Sequence, residues 1–388
     1  MLIDTTLREG SQAPVPYLSR CRRRALLTAL VRIGVEEVEL GHVVAEPSYD
    51  PGPLAALLEL ALDLDPGVRR AVWCRAREDD VAAAAALRPD VVSFALPVSD
   101  LHLERRLRRD RSWALAQVAP LVAQARAQGV GYVSIGLEDA TRADPGFLDE
   151  VVAAAAGAGA DRVRLADTVG VASPSEVARL VDRVRRAYPG EVAVHVHDDL
   201  GMATAGAVAA LETGADWADV SVSGLGERAG VSRLEEVAAW LVVRRGAGYD
   251  LRAAREIAHS LAGWVGRPVP AHAPVVGADV FACESGLHLA GLAADPATYE
   301  PYPPELVGAR RSWRLGAGSG RAAVAALAPG GGLDALGVAS RVRGEAIVRG
   351  RALRPEEWVR ATRSLAPVPD EDPGTQGMMS SWPDDTAC

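Results

Sequence analysis

The feature that most constrains this chain is a unit of one short apolar strand, a loop and one helix that recurs through its first two thirds. Eight strands are predicted at 2–6, 37–41, 70–74, 91–96, 131–136, 162–166, 192–197 and 218–222. Helices of ordinary length fit between them, from 18–33 to 232–244. Strands that alternate with helices pair in parallel through right-handed crossovers. Eight such units predict an α/β fold in which the strands close into a (β/α)8 TIM barrel.

The rest of the chain divides into two further parts. A predicted helix over 251–265 leads into a proline-rich passage at 267–274, which is typical of a domain exit. We therefore expect a barrel domain over 1–265 and a smaller, mostly helical domain over 266–365. Residues 366–388 are rich in Pro, Asp, Ser and Gly and predict a disordered tail.

Composition excludes several classes of function. The chain has no lysine, so all 42 basic residues are arginine, and Schiff-base or pyridoxal phosphate chemistry is excluded. A net charge of −9 argues against a nucleic-acid partner, and no apolar run is long enough for a membrane span. The four cysteines are scattered without a Cys-x-x-Cys pair, and no signal-like segment opens the sequence. We expect a cytoplasmic protein.

Polar residues cluster where the predicted strands end. They are Asp4, Arg8, Glu9, Arg75, Glu138, Asp139, Asp167, Thr168, His195, His197 and the run 226–228. In a TIM barrel the carboxyl ends of the strands form one rim, and that rim carries the active site. These residues are therefore predicted to converge in space although they are far apart in sequence.

A metal site is predicted from three of them. His195 and His197 are two residues apart at the end of a strand, so both imidazoles point to the same face. Glu9 adds a carboxylate beside the guanidinium of Arg8. A face of two histidines and one carboxylate suits a divalent ion such as Mg²⁺, Mn²⁺, Co²⁺ or Zn²⁺ acting as a Lewis acid on an oxo-acid.

The order of the motifs resembles a known superfamily. DTTLREG at 4–10, HVHDDLGMATA at 195–205 and GLGERAG at 224–230 are similar to the metal-dependent barrels that include isopropylmalate, citramalate and homocitrate synthases and hydroxymethylglutaryl-CoA lyase. Further stretches resemble the nitrogenase-associated homocitrate synthases. They are WCRAR at 73–77, LPVSD at 96–100, DRSWALAQ at 110–117, EDATRADP at 138–145, ADTVG at 166–170, ESGLH at 284–288 and TYEP at 298–301. The resemblance covers residues 1–327.

The resemblance implies a role for several residues in the barrel. Glu9, His195 and His197 would bind the metal. Arg8 would stabilise the charge that develops on the alkoxide and enolate, and Thr168 would bind the substrate carboxylate. Each of these residues also fits an ordinary structural role when taken alone, such as an ion pair or a helix cap.

The resemblance also implies that the small domain contributes to the active site. Glu138 in the barrel, with His288 and Tyr299 in the small domain, would deprotonate acetyl-CoA and later return a proton. Because two of the three lie outside the barrel, we expect a homodimer in which this domain reaches over a barrel mouth. The activity implied is homocitrate synthesis from acetyl-CoA and 2-oxoglutarate, for nitrogenase cofactor synthesis.

Some positions depart from the family pattern. They are Ser11, Gly206, Val231, Cys283, Ala290, Ala317 and Gly318. These changes leave the metal face intact, but they touch loops near the acyl-CoA and small-domain contacts. Two alternatives therefore stay open: a related acyltransferase for another oxo-acid, of the isopropylmalate, citramalate or phosphonomethylmalate synthase kind, and a catalytically silent homologue.

One residue is predicted to select the substrate. The distal carboxylate of 2-oxoglutarate must be met without lysine, and Arg75, at the end of the third strand, is the candidate. A solvated arginine at a helix start is the structural alternative.

Overall fold

The computed structural model describes residues 1–46, 48–327 and 335–362. Eight parallel strands pair in chain order and close into a barrel, with the first strand bonded to the eighth. The strands are β1 Leu2–Asp4, β2 Glu37–Val43, β3 Arg69–Arg75, β4 Val91–Pro97, β5 Tyr132–Glu138, β6 Arg162–Asp167, β7 Glu191–Val196 and β8 Trp217–Val220. The predicted TIM barrel is confirmed.

A helix follows each strand and covers the outside of the barrel. The helices are α1 Arg20–Ile33, α2 Gly52–Leu64, α3 Glu78–Ala86, α4 Arg111–Ala127, α5 Pro145–Gly157, α6 Pro174–Ala187, α7 Ala203–Thr213 and α8 Leu234–Arg245. A ninth helix, α9 Leu251–Val265, packs against α1 and α8.

Local signals explain where several helices begin. Asp110 accepts a hydrogen bond from the backbone N–H of Trp113 at the start of α4. Ser173 and Glu176 form a reciprocal capping box at the start of α6, where Pro174 already has a helical φ. Such side chains satisfy backbone donors that the first turn of a helix leaves unpaired.

Two details of the rim differ from the predicted elements. β8 ends at Val220, and a short 3₁₀ turn, Val222–Gly224, replaces the predicted end of that strand. A π-helical segment, His102–Leu107, lies between β4 and α4 and was not predicted. It ends at Arg108, whose φ of 54° stops the helix.

The barrel interior holds paired charges as well as apolar side chains. Near the amino-terminal ends of the strands, Arg162 donates two hydrogen bonds to Glu37, at 2.9 and 2.6 Å, and neither side chain is exposed. Burial of such a pair is tolerable because each charge has its partner within hydrogen-bond distance. Glu39 and Arg164 lie one inward-facing position further along the same two strands, toward the catalytic rim.

The chain divides into a compact unit that spans Met1–Pro268 and a second that begins at Val269. The second unit contains a parallel pair of short strands, β9 Ala282–Cys283 and β10 Ser312–Trp313. Its helices are α10 Gly286–Ala294, α11 Arg321–Leu327, α12 Ala335–Arg349 and α13 Pro355–Thr362. Leu289, Leu315, Val324, Val338 and Leu353 form its core. The prediction of a mostly helical region after the barrel is confirmed.

Two further expectations concern the whole chain. The predicted disordered tail, 366–388, lies outside the described residues. Within the residues that the structure covers, no helix is both long and apolar enough to cross a membrane.

Candidate active site

Glu9, His195 and His197 come together at the carboxyl ends of β1 and β7. All three are buried, and one ligand atom from each lies within 4.8 Å of the others. Within residues 1–46, 48–327 and 335–362 this is the one such group of histidine, cysteine and carboxylate side chains. The structure thus brings together the three residues from which the metal site was predicted.

A carboxylate behind His195 fixes the orientation of its ring. His195 Nδ1 lies 2.8 Å from Oδ2 of Asp219, a buried residue of β8. The other ring nitrogen, Nε2, lies 3.9 Å from Oε2 of Glu9. A carboxylate that accepts the Nδ1 proton leaves the lone pair on Nε2, the arrangement that metal-binding histidines commonly have.

His197 presents a neutral ring to the same space. It follows the last residue of β7, and its backbone forms an antiparallel bridge with Val231. Burial and the neighbouring His195 lower the pKa of His197 to about 3. Its buried Nδ1 atom has no hydrogen-bond partner among the described residues. The imidazole therefore has a lone pair available for a ligand at neutral pH.

Glu9 is held by two hydrogen bonds. Its Oε2 accepts from Arg8 Nη1 at 2.5 Å, and its Oε1 accepts from the backbone N–H of Glu227 at 3.1 Å. Burial alone would raise the pKa of Glu9, but Arg8 and His195 lower it overall. The carboxylate is thus ionised, and each oxygen keeps a second lone pair for a cation.

Arg8 is buried and points toward two carboxylates. Besides Glu9, it donates from Nε to Oε2 of Glu39, on β2, at 2.6 Å. Its guanidinium carbon also lies 5.7 Å from the ring centroid of Trp73. A planar guanidinium held on two sides is fixed in one orientation toward the rim.

A buried charge network continues beneath these residues. Arg164, on β6, donates from Nη1 to Oε1 of Glu39 at 2.9 Å, and the same atom lies 3.3 Å from Oδ2 of Asp219. Burial would raise the pKa of Glu39, but Arg164 and Arg8 lower it to about 2. The network thus runs through ion pairs from Arg8 to the carboxylate behind His195.

The donors present fit a divalent cation. Two imidazoles and one ionised carboxylate match the ligand set of a facial two-histidine, one-carboxylate site. The buried Nδ1 atom of His197, which lacks a hydrogen-bond partner among the described residues, is consistent with that set. A carboxylate behind one histidine is the usual outer support of such a site.

Glu138 and Thr168 lie on neighbouring strand ends of the same rim. Glu138 is the last residue of β5 and accepts a hydrogen bond from Arg106 of the π-helical segment. Thr168 follows β6, and its Oγ1 accepts from the backbone N–H of Asp139 at 2.8 Å. Because this contact uses Oγ1 as an acceptor, the hydroxyl hydrogen of Thr168 can be donated to a substrate oxygen.

Three other rim residues predicted from the sequence form hydrogen bonds within the loops. Asp4 is fully buried and accepts two hydrogen bonds from Thr6, and Asp139 accepts two from Arg142. Asp167 accepts from Thr141 Oγ1 and from the backbone N–H of Ala172. Their positions at the strand ends are as predicted, but their oxygens hold loop backbone and neighbouring side chains.

Arg75 ends β3 on the same rim, and its guanidinium is paired. It donates from Nε and Nη2 to Asp80, at 2.5 and 3.1 Å, and its Nη1 lies 3.1 Å from Glu46. Asp80 is fully buried, whereas the side chain of Arg75 is 37% exposed. A role in substrate selection stays a prediction.

In the second unit, His288 and Tyr299 lie against each other. His288 is on α10, and Tyr299 follows the short 3₁₀ turn Pro296–Thr298. Their ring centroids are 4.2 Å apart, and both side chains are exposed. The structure thus places the two residues as one pair, and their catalytic roles stay predictions.

The departures from the family pattern have different settings. Ser11 donates to the carbonyl of Arg8 at 2.6 Å. A Cβ atom at the buried Gly206 would lie 3.3 Å from Val196, so the helix approaches β7 closely there. Val231 is buried beside His197, whereas Ala317 and Gly318 are exposed. The structure gives no reason for the residues at Cys283 and Ala290.

Sequence reasoning missed three residues of the site: Glu39, Arg164 and Asp219. Each is charged and lies inside a strand rather than after it. The available signal was a charged residue at an alternating position of a strand that is otherwise buried.

The chain matches two known protein families. The HMGL-like family matches residues 1–261, and the family described as homocitrate synthase post-HMGL domain-like matches residues 275–341. The two matches together cover most of the barrel and part of the second unit.

Individual relatives agree with these matches. The chain is 42% identical over 323 residues to a homocitrate synthase from Frankia alni, and the matched region covers 83% of this chain and 90% of the relative. It is 38% identical to a 2-phosphonomethylmalate synthase from Streptomyces rubellomurinus, over 84% of this chain and 86% of the relative. The HMG-CoA lyase structure from Brucella melitensis has the same fold, with a TM-score of 0.60, 22% identity, and coverage of 68% of this chain and 98% of that one.

Proposed function

The chain belongs to the HMGL-like family, whose members include acyl-condensing enzymes, and from that premise we propose that it is a metal-dependent homocitrate synthase. In this proposal acetyl-CoA condenses with 2-oxoglutarate, and hydrolysis of the thioester gives homocitrate and CoA. The observation that carries the proposal is the buried group of Glu9, His195 and His197, with Arg8 donating to Glu9.

The metal would be held by those three side chains. A bound divalent cation would act as a Lewis acid on the keto group of the oxo-acid. The proposal leaves Mg²⁺, Mn²⁺, Co²⁺ and Zn²⁺ as candidates, because the ligand set suits each of them.

Arg8 would stabilise negative charge during condensation. The carbon–carbon bond forms between the acetyl methyl carbon and the keto carbon of the oxo-acid, and the keto oxygen becomes an alkoxide. The fixed guanidinium of Arg8, which donates from Nη1 to Glu9, can also donate to that oxygen. Such a preoriented donor lowers the barrier because no reorganisation is needed when the charge develops.

Proton transfers are assigned to three residues. The acetyl methyl group must lose a proton before it attacks, and the alkoxide must gain one afterwards. Glu138 lies on the rim and could accept or return a proton at its carboxylate oxygens. His288 and Tyr299 would supply the second acid–base pair, which is supported by the 4.2 Å separation of their rings. We keep the division into a catalytic barrel, 1–265, and a contributing small domain, 266–365, as part of this proposal.

Two residues would orient the oxo-acid. Thr168 would donate its hydroxyl hydrogen to the carboxylate next to the keto group. Arg75 would meet the distal carboxylate, which requires it to turn from Glu46 while keeping its contact with Asp80. Arg75→Ala should then raise the KM for 2-oxoglutarate by about 10- to 100-fold, the scale of one charge-assisted hydrogen bond, with little change for pyruvate. Equal losses on both substrates would make Arg75 a support of the rim.

A CoA-release assay tests the proposal. The purified enzyme, acetyl-CoA and a divalent metal are combined separately with 2-oxoglutarate, pyruvate, 2-oxoisovalerate and phosphonopyruvate, and the products are identified by mass spectrometry. The proposal predicts the highest kcat/KM with 2-oxoglutarate and homocitrate as the product. The 38% identity to a 2-phosphonomethylmalate synthase supports phosphonopyruvate as the second candidate substrate. Release of CoA with none of the four would favour a catalytically silent homologue.

The proposal also covers the oligomeric state, the substrates and the biological role of the enzyme. We propose a homodimer, which light scattering on the purified protein would test. Acetyl-CoA and 2-oxoglutarate are its proposed small-molecule partners. Supply of homocitrate to nitrogenase cofactor synthesis is proposed from the motifs that resemble the nitrogenase-associated enzymes, and loss of nitrogen fixation in a deletion strain, restored by added homocitrate, would test it.

A further inference from the structure

Two buried carboxylates hold two residues of the candidate active site, His195 and Arg8. Asp219 accepts from Nδ1 of His195 at 2.8 Å, and Glu39 accepts from Nε of Arg8 at 2.6 Å. Both carboxylates meet the same atom, Nη1 of Arg164, at 3.3 and 2.9 Å. One buried guanidinium therefore connects the support of the imidazole to the support of Arg8.

Stability alone does not explain Arg164. Its side chain is 4% exposed, and its Nε and Nη2 atoms have no hydrogen-bond partner among the described residues. Removing a guanidinium from water is costly, and buried donors without partners add to that cost. An apolar side chain of similar volume, together with neutral replacements for the two carboxylates, would avoid both penalties. A function is therefore the better explanation of its presence.

We propose that Arg164 is a positioning residue that, through Asp219 and Glu39, holds the metal-binding face of His195 and the guanidinium of Arg8 in one fixed arrangement. This inference rests on the proposed function insofar as it takes Glu9, His195 and His197 as the metal ligands. It assigns no contact with substrate to Arg164.

The charges of the network suit this role. Glu9, Glu39 and Asp219 are three acidic groups, and Arg8 and Arg164 are two cationic groups, so the carboxylates and guanidinium groups of the connected set sum to one net negative charge. A divalent cation would change the sum to one positive charge, which would attract an oxo-acid anion. Without Arg164 the same set would carry two negative charges, concentrated on the carboxylates behind His195 and Arg8.

The barrel offers a matched control. Arg162, on β6, and Glu37, on β2, form an equally buried ion pair with distances of 2.9 and 2.6 Å. Among the hydrogen bonds of the described residues, neither side chain bonds to a predicted metal ligand or to Arg8. Glu37→Gln should disturb barrel stability as Asp219→Asn does. It should leave metal binding within about twofold of wild type, because it removes no support of a metal ligand.

The first test measures metal affinity rather than turnover. Mn²⁺ is titrated into the metal-stripped full chain, and binding is followed by calorimetry and electron paramagnetic resonance, with circular dichroism to check folding. Asp219→Asn should weaken Mn²⁺ binding by about 10- to 100-fold, the usual effect of losing a support behind a metal ligand. Affinity equal to that of Glu37→Gln would overturn the role of Asp219.

The second test separates the two roles proposed for Arg164, which are support of metal binding through Asp219 and support of Arg8 through Glu39. At saturating metal, Asp219→Asn should regain most of its kcat, because its defect is in metal binding. Arg164→Gln should weaken Mn²⁺ binding and also keep a kcat lowered by at least about 10-fold at saturating metal, because Arg8 loses its fixed position. Arg164→Lys, which restores one cation between the two carboxylates, should recover part of both losses. Wild-type metal affinity and kcat in folded Arg164→Gln would overturn the inference, and so would the lack of any recovery in Arg164→Lys.

The two proposals fail in different ways. If Mn²⁺ binding by the enzyme depends on Asp219, but no CoA is released from acetyl-CoA with any of the oxo-acids, the proposed function is wrong. The part of the inference that concerns metal affinity then stands. If homocitrate forms but metal affinity is unchanged in Asp219→Asn and Arg164→Gln, the inference is wrong and the proposed function stands.

Discussion

Arg8 and Glu9, neighbours in the sequence, are joined side chain to side chain by a hydrogen bond of 2.5 Å from Nη1 of Arg8 to Oε2 of Glu9. Glu9 is a predicted metal ligand, and Arg8 is the proposed stabiliser of developing negative charge. The contact therefore makes the orientation of the metal ligand depend on the residue that would act on the substrate.

A substitution of Arg8 should affect both properties. Arg8→Ala should lower kcat by about 10²-fold or more, the scale for losing an oxyanion donor, and should also weaken metal binding because Glu9 loses a partner. Arg8→Lys keeps one positive charge but loses the paired donors of the guanidinium, so it should recover metal binding more than kcat. Steady-state kinetics and Mn²⁺ titration on both variants check this. An unchanged kcat in Arg8→Ala would remove the residue from the mechanism.

The barrel could be predicted because its signal is periodic. The longer strands β4 and β5 are mostly apolar runs of seven residues. The helices that follow them, α4 and α5, begin after the capping residues Asp110 and Asp144. The rim residues then followed from topology alone, because strand ends of a parallel barrel converge. The proximity of Glu9 to His195 and His197, far apart in sequence, is the result.

The supporting network could not be predicted in the same way. Glu39, Arg164 and Asp219 lie within strands, and which charged residues pair across a barrel depends on strand register and side-chain direction. The pairing of Arg75 with Asp80 and Glu46 has the same origin. A periodic pattern places a residue on an inner or outer face, but it does not select its partner.

His288 and Tyr299 of the second unit should take part in proton transfer and not in metal binding. His288→Ala and Tyr299→Phe should each lower kcat by about 10²-fold or more, the usual range for a general acid or base, and leave Mn²⁺ affinity unchanged. Because the rings are 4.2 Å apart, the double variant should lose less than the product of the two single losses. His272→Ala, an exposed histidine of the same unit, is the matched control. Loss of metal binding in either single variant would contradict the assignment.

Val231 faces His197 but has no polar side-chain group that could hydrogen-bond to its ring. The two residues face each other in an antiparallel bridge, and His197 Nδ1 has no partner among the described residues. Facing side chains in such a bridge are close enough to interact. Val231→Asn should therefore tighten Mn²⁺ binding by about threefold to tenfold, because the amide can support the ring. Val231→Ala is the control, since it changes the volume without adding a polar group, and equal effects of the two variants would contradict the prediction.

Stability should fall as the pH rises through the range in which Glu235 titrates. Burial raises the pKa of Glu235 from 4.5 to about 7, and its Oε2 accepts from the backbone N–H of Ser223 at 3.0 Å. Between these values the folded state binds more protons than the unfolded state, so the free energy of unfolding decreases with increasing pH by up to about 1.4 kcal/mol per unit for this group. Asp4, with a pKa raised by burial to about 7, adds to the effect in the same direction.

Glu235→Gln should remove part of this slope. Urea titrations at pH 5 and pH 8 should show a smaller loss of unfolding free energy in the variant than in wild type, with the variant relatively more stable at pH 8. Glu236→Gln, at the next position of α8, should change the slope less than Glu235→Gln, because burial is the largest cause of the raised pKa of Glu235 and the charge of Glu236 a smaller one. A slope in Glu235→Gln equal to that of wild type would contradict the titration of this carboxyl.

Glu9, His195 and His197 are proposed to hold one divalent metal on which condensation depends. The most direct measurement is CoA release from acetyl-CoA and 2-oxoglutarate by the metal-stripped enzyme as a divalent metal is added back, with bound metal counted in parallel. We expect no activity without metal, recovery that saturates at about one ion per chain, and neither binding nor recovery in folded His197→Ala. Full activity in the stripped enzyme, or full metal recovery in His197→Ala, would contradict the proposal.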